Sequence, residues 1–196
     1  MGIACTFERA EDGMPEIVVG AGRIRLVQGD IVQAKTDAIV NAANASLAGG
    51  GGVDGAIHRA AGPELYELTR PFGGCATGSA VITGAGRIPL PTRFIVHAVG
   101  PRYSTARDAE CAALLRSAHE VSLRLCEEKA VESVAFPAIS TGVYGFPIAR
   151  AAPIALQAAM EHLKAGERSV KRVVFVLFTP ADLQVFSEAL ASLGQG

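Results

Sequence analysis

From residue 108 onward the chain alternates between segments of helical and of strand character, and few folds accommodate that order. Residues 108–129 place Ala112, Leu115, Ala118, Val121 and Leu125 at helical spacing. Residues 131–136 form a short apolar strand, 149–164 a second helix, 171–178 a strongly apolar strand and 181–193 a last helix. Strands joined through helices cannot close as hairpins, so they lie parallel with helices packed on both faces. Upstream, residues 16–19 and 23–28 flank Gly20-Ala-Gly22 and read as a hairpin. Residues 37–41 read as a buried strand, and 79–83 and 93–99 as two more, linked by the turn-rich stretch 84–91. The expectation is one α/β domain with a mixed, mainly parallel sheet. Residues 1–14 lack periodicity and are expected to be a loose leader before a domain spanning 15–196.

Composition narrows the function. The formal net charge is −1, and no run of Lys and Arg interleaves with aromatics. A protein whose main task is to neutralise phosphates along a nucleic acid needs the opposite, so no obligatory nucleic-acid partner is expected. Cys5, Cys75, Cys111 and Cys126 stand far apart without C-x-x-C spacing, which suits neither a zinc site nor a disulfide scaffold. A reducing, cytoplasmic setting and no metal are the expectation. No apolar run approaches spanning length, so no membrane partner is expected. Arginine outnumbers lysine and alanine is abundant, as in chains from GC-rich bacteria.

Two loops carry the chemistry. The first follows Asp37-Ala-Ile-Val-Asn41-Ala-Ala-Asn44, where a strand runs out into two asparagines. Gly49, Gly50, Gly51 and Gly52 come next, then Val53 and Asp54 at the start of a helix over 53–61. Glycines let backbone amides approach a ligand, and a helix start adds unpaired N–H groups and a positive dipole end. Together they make a phosphate cradle. The stretch fits G-x-G-x-x-G in letters only, because the dinucleotide fingerprint needs its turn directly after the strand. No Gly-Lys-Ser/Thr is present, which excludes a P-loop. The second loop, Ser140-Thr141-Gly142-Val143-Tyr144-Gly145-Phe146, also follows a strand. Two glycine-punctuated loops at strand ends point to a diphosphate gripped from both sides.

Other candidates have an ordinary reading beside the functional one. Asp30, at the end of strand 23–28, either caps the turn that starts at Ile31 or accepts a hydrogen bond from an adenine amine; taken alone, capping is commoner. Phe146 and Phe178 are by default core aromatics, though strand ends also suit an aromatic that stacks a base. Asp54 is either a carboxylate relieving the helix dipole or a catalyst. His58, four residues on, faces it across one turn and is an accessory candidate.

These motifs resemble the macrodomain family. Gly29-Asp-Ile31, DAIVNAAN over 37–44, GGGGVDGAIHRAAG over 49–62, TGSAVIT over 77–83, His97-Ala-Val-Gly-Pro101 and SVAFPAISTGVYGFP over 133–147 are similar to its MacroD-type branch. The resemblance spans roughly residues 23 to 190. It implies a three-layer α/β/α sandwich with a six-stranded sheet that binds ADP-ribose. It further implies removal of mono-ADP-ribose from acidic side chains of proteins and deacetylation of O-acetyl-ADP-ribose, by a monomer with no cofactor and no metal. Carried over, Asp30 would hold the adenine amine, Ile31 the adenine edge and Phe178 the base face. Gly49, Gly50, Gly51, Gly52 and Val53, with the loop from Ser140 through Thr141, Gly142, Val143, Tyr144 and Gly145 to Phe146, would bind diphosphate and distal ribose. Asn41 and Asn44 sit at the same strand end, with Asn44 on the distal ribose. Asp54 would be the catalytic carboxylate, directing a water onto the ribose. Thr179-Pro-Ala-Asp182, after the base-stacking position, departs from the family pattern. The alternative reading is a non-catalytic reader of ADP-ribose.

Overall fold

The structure is a computed structural model that describes residues 5–10 and 12–194. Its elements in chain order are β1 (Cys5–Arg9), β2 (Pro15–Val19), β3 (Gly22–Gln28), β4 (Ala38–Ala42), α1 (Gly52–Ala61), α2 (Glu64–Thr69), β5 (Ala80–Gly84), β6 (Phe94–Ala98), α3 (Asp108–Glu128), β7 (Ser133–Phe136), α4 (Ile148–Lys164), β8 (Arg172–Leu177) and α5 (Pro180–Leu193). One mixed sheet runs β1-β2-β3-β8-β7-β4-β6-β5. The strands from β3 to β6 in that order are parallel, and β1, β2 and β5 pair antiparallel at the two edges.

Two corrections to the sequence reading concern the edge. The sheet has eight strands rather than six. Of the residues read as a loose leader, Cys5–Arg9 pair antiparallel with β2, Thr6 opposite Val18 and Glu8 opposite Glu16. Four of the five β1 residues are exposed, so the strand rests on backbone pairing and shows no apolar alternation to be read. Residues 1–4 and 11 of that leader lie outside the described residues.

Alternation along the central strands builds both faces of the sheet. In β8, Val173, Phe175 and Leu177 belong to a core beneath α3, α4 and α5, whereas Val174 and Val176 belong to the opposite cluster with Ile57 and Leu65 of α1 and α2. The larger core is aromatic at its centre, with Phe175 at 5.7 Å from Phe136 and 5.5 Å from Phe186, ring centre to ring centre. The result is the expected three-layer sandwich. Asp37 fixes the start of β4 against β7, its Oδ2 accepting from the Ser133 amide and hydroxyl, each at 2.9 Å.

Two histidines are sealed inside this fold. His119 donates from Nδ1 to the Leu115 carbonyl at 2.8 Å and stacks on Phe136. Burial pulls both His119 and His97 down from an ordinary 6.5 to about 4. Unfolded histidine takes up a proton near pH 6.5 and these do not. Their contribution is therefore complete above pH 6.5 and is lost as pH falls from 6.5 toward 4, at up to about 1.4 kcal/mol per pH unit for each. Thermal melts at pH 7.5 and pH 5 check this. The midpoint is expected to drop at the lower pH, and the drop to shrink in His119→Leu.

Candidate active site

The C-terminal ends of parallel strands are where open α/β sheets collect ligands. Here β4, β6 and β7 end at a cleft of about 340 Å³. One lip is Asn44 with Gly50, Gly51, Gly52, Val53 and Asp54; the other is Ser140, Gly142, Val143 and Tyr144; Ala42, Ala43, Gly100, Arg102, Ala138 and Ile139 complete it.

The first lip is shaped by its glycines. Gly49 and Gly52 hold φ of +75° and +57°, which only glycine adopts without strain. A Cβ on Gly55 would meet the Gly50 carbonyl oxygen at 2.5 Å, so the loop lies flat against the first turn of α1. Gly51 caps α1 and has no side chain to satisfy the first-turn amides, which stay available to an anion. Asn44 braces this lip, donating from Nδ2 to the Gly49 carbonyl at 2.8 Å and accepting at Oδ1 from the Ser46 hydroxyl at 2.6 Å.

Asp54 is 5 % exposed, and its two oxygens differ. Oδ1 accepts from Asn41 Nδ2 at 2.7 Å and lies 3.4 Å from His58 Nε2. Oδ2 faces Gly50: a Cβ there would sit 3.2 Å from Oδ2 and 3.7 Å from Asn44 Nδ2. One oxygen is thus committed to the protein, and the other lies against Gly50, a residue without a side chain on the rim of the cleft. Burial raises the carboxyl above its ordinary 3.8, opposed by the Asn41 hydrogen bond and by His58. The His58 ring rests against Tyr66, centres 4.6 Å apart.

The second lip is closed by Phe146 N–H donating to the Ser140 carbonyl at 3.0 Å and Gly145 N–H to that of Gly142 at 2.8 Å. Its tip, Val143, is 89 % exposed. Ser140 is buried at φ +67°, and its Oγ has no hydrogen-bond partner. Ser140 is thus the residue of this lip that combines a left-handed backbone with an unpartnered buried hydroxyl.

Several candidates take other places. Asn41 lies behind Asp54, Thr141 donates to the Ala138 carbonyl at 2.9 Å, and Phe146 is a core residue against Tyr103, centres 4.9 Å apart. Gly49 and Gly145 shape the loops without lining the cleft. Asp30, Ile31 and Phe178 also stand outside it, at the paired ends of β3 and β8, where Gly29 N–H donates to the Leu177 carbonyl at 2.9 Å. Asp30 caps the short 3-10 turn, accepting from Val32 N–H at 3.1 Å, and borders a second cavity of about 360 Å³. Ile31 is buried, and Phe178 is 76 % exposed. Thr179 and Asp182, the departure noted after Phe178, form a capping box at the start of α5.

Sequence reasoning missed Arg102 and Gly100. The Arg102 guanidinium lies 4.4 Å from the centre of the Tyr144 ring and supplies the cleft's cation. A Cβ on Gly100 would meet Ile139 Cγ2 at 2.6 Å, so this glycine lets the second lip approach the end of β6. The signal for both was the motif ending in Pro101, which they flank.

Residues 40–155 of the chain match the Macro domain family. The protein is a macrodomain. This macrodomain is 47 % identical over 176 residues to an O-acetyl-ADP-ribose deacetylase of Escherichia fergusonii, covering 88 % of its own length and 97 % of that protein's. It is 43 % identical over 168 residues to the ADP-ribose glycohydrolase MACROD2 of Xenopus laevis, covering 86 % of its own length and 40 % of that protein's. Among solved structures, a variant of the Oceanobacillus iheyensis macrodomain with ADPR superposes with a TM-score of 0.82 at 38 % identity, covering 98 % of this macrodomain and all of that chain. The macrodomain is of the MacroD type.

Proposed function

We propose that this macrodomain is a hydrolase that binds ADP-ribose, releases mono-ADP-ribose from Asp and Glu side chains of proteins and deacetylates O-acetyl-ADP-ribose. The observation that carries the reading is the division of Asp54, with Oδ1 held by Asn41 and Oδ2 left against Gly50 on the rim of the cleft between the two glycine-punctuated loops. A module that only binds an anionic ligand gains nothing from a buried carboxylate in that place, since the charge repels the ligand. The names of the deacetylase and glycohydrolase relatives, and the ADPR with the structural neighbour, support the same reading.

In the proposed reaction the first-turn amides of α1 and the Ser140–Tyr144 lip hold diphosphate and distal ribose, and Asn44 fixes the sugar. Asp54 Oδ2 takes a proton from a water whose oxygen bonds to C1″ of the ribose. The bond from C1″ to the carboxylate oxygen breaks, and the electron pair leaves with the carboxylate. Because a carboxylate leaves readily near neutral pH, a positioned base and a clamped sugar suffice. With O-acetyl-ADP-ribose the same water bonds to the acetyl carbonyl carbon instead; the ester bond from that carbon to the ribose oxygen breaks, acetate leaves, and the proton taken by Asp54 returns to the ribose hydroxyl.

A time course on glutamate-linked and arginine-linked mono-ADP-ribosylated protein tests the reading. Release from the first is expected, whereas the guanidine is a far poorer leaving group and its ester-free bond should persist. ADP-ribose binding without release from either substrate would leave a reader and overturn the hydrolase.

A further inference from the structure

Behind Asp54, Asn41 is itself held by a chain of buried polar groups that hydrolysis as described above does not use. Asn41 of β4 and His97 of β6 are paired residues on neighbouring parallel strands, and both are completely buried. Asn41 Nδ2 is 2.7 Å from Asp54 Oδ1 and 3.2 Å from His97 Nδ1. His97 Nε2 is 2.9 Å from Thr83 Oγ1 of β5, and that hydroxyl donates to the Gly84 carbonyl at 3.0 Å. The neighbourhood is otherwise aliphatic, with Ile39, Ile57 and Ile95 in the same layer. Polar groups placed there cost stability unless each proton has a destination.

With Asp54 ionised, the protons admit one arrangement. An amide nitrogen carries two hydrogens, and Asn41 spends one on the carboxylate and one on His97. His97 Nδ1 must then be the bare, accepting nitrogen, which puts the ring proton on Nε2. From there it is donated to Thr83, whose own proton is already directed at Gly84. Turning the Asn41 amide over would set its oxygen against the Asp54 carboxylate. His97 thus reads the orientation of Asn41, and Asn41 in turn presents a donor to one oxygen of Asp54.

On the hydrolase reading above, we infer that Asn41 and His97 are positioning residues: the imidazole locks the Asn41 amide so that it holds Asp54 Oδ1 and leaves Oδ2 aimed into the cleft as the base. Burial keeps His97 near 4, so around neutral pH it stays neutral and accepting. A protonated His97 would present Nδ1–H to a donor and break the chain. The other groups facing Asp54 are His58 on its own helix, with Tyr66 of α2 against that ring, Asn44 on the loop and Arg102 across the cleft. None of these occupies the line from Asn41 to Thr83.

The test is the acid limb of kcat/KM, followed beside the ¹³C titration of the Asp54 carboxyl, which is assigned by its disappearance in Asp54→Asn. In Asn41→Leu and His97→Leu both midpoints are expected to rise by about one to two pH units, as loss of a hydrogen bond to a charged group implies. kcat should fall at least tenfold with KM little changed. His97→Gln can accept from Asn41 and donate to Thr83, and is expected to restore both midpoints toward wild type. If the leucine variants do not fold, Thr83→Val is read in their place. It strands the Nε2 proton, and a smaller shift in the same direction is expected. Midpoints that stay put in folded Asn41→Leu or Thr83→Val, or a His97→Gln variant no better than His97→Leu, overturn the inference. The carboxyl titration needs no turnover, so it reads the chain of hydrogen bonds even in a protein that proves to be only a binder. A wild type without turnover would fail the hydrolase reading and leave the titration standing.

Discussion

Asp54→Ala is expected to lose hydrolysis of glutamate-linked ADP-ribose by about 10²- to 10⁴-fold, the range that a positioned general base supplies. Affinity for ADP-ribose in a calorimeter should not weaken. The carboxylate contributes no hydrogen-bond donor, and at neutral pH its charge opposes a diphosphate held on the adjoining loop. The fold should also persist, because Asp54 sits in the first turn of α1 and its helix is packed through Ile57 and Ala61 rather than through the carboxylate. Asp54→Asn refines the result. Its side chain keeps the shape and still offers an oxygen to Asn41, so the loss of turnover there isolates basicity from positioning. Turnover within a few fold of wild type in either variant would remove Asp54 as the base.

Much of the site was legible because its parts are local in sequence. The glycine run, Asp54 and the first turn of α1 occupy consecutive positions, and so does the loop from Ser140 to Phe146. Glycine spacing and a helix start are short-range signals, and they placed both lips of the cleft. What sequence did not reveal depends on strand order. Asn41 was read at a strand end beside Asn44 as a ligand contact, yet one residue of strand alternation separates facing the cleft from facing the core. The sheet places Asn41 next to His97, 56 positions away, and turns it toward Asp54. His97 stood in a quoted motif but gave no sign of its own role, since a lone histidine in a strand has no spacing to read. The edge strand β1 escaped for the opposite reason: its residues are nearly all exposed, so pairing leaves no mark of alternation. Phe146 shows the limit of strand-end reasoning, for the loop that follows β7 folds back and buries its last aromatic against Tyr103.

Gly50→Ala is expected to lower kcat by about 10²-fold, the order of effect that small misplacements at a reacting centre produce. Gly50 does not have a positive φ, so alanine fits the backbone and the melting temperature should hold. What changes is the space in front of the base. The new methyl would lie 3.2 Å from Asp54 Oδ2 and 3.7 Å from Asn44 Nδ2, in the gap that the proposed mechanism gives to a water accepting from Asn44 and donating to Asp54. Affinity for ADP-ribose depends on the amides and the second lip, and is expected to change much less than kcat. Gly51→Ala is the matched control. Its φ of −97° is open to alanine and its Cβ would meet no protein atom within 4 Å. That methyl enters open space and leaves Asp54 alone, so it should leave kcat within a few fold whatever it does to KM. Steady-state kinetics on the two variants separates the cases: a loss of kcat shared equally by both would mean that the loop as a whole, and not the water in front of Oδ2, limits the reaction.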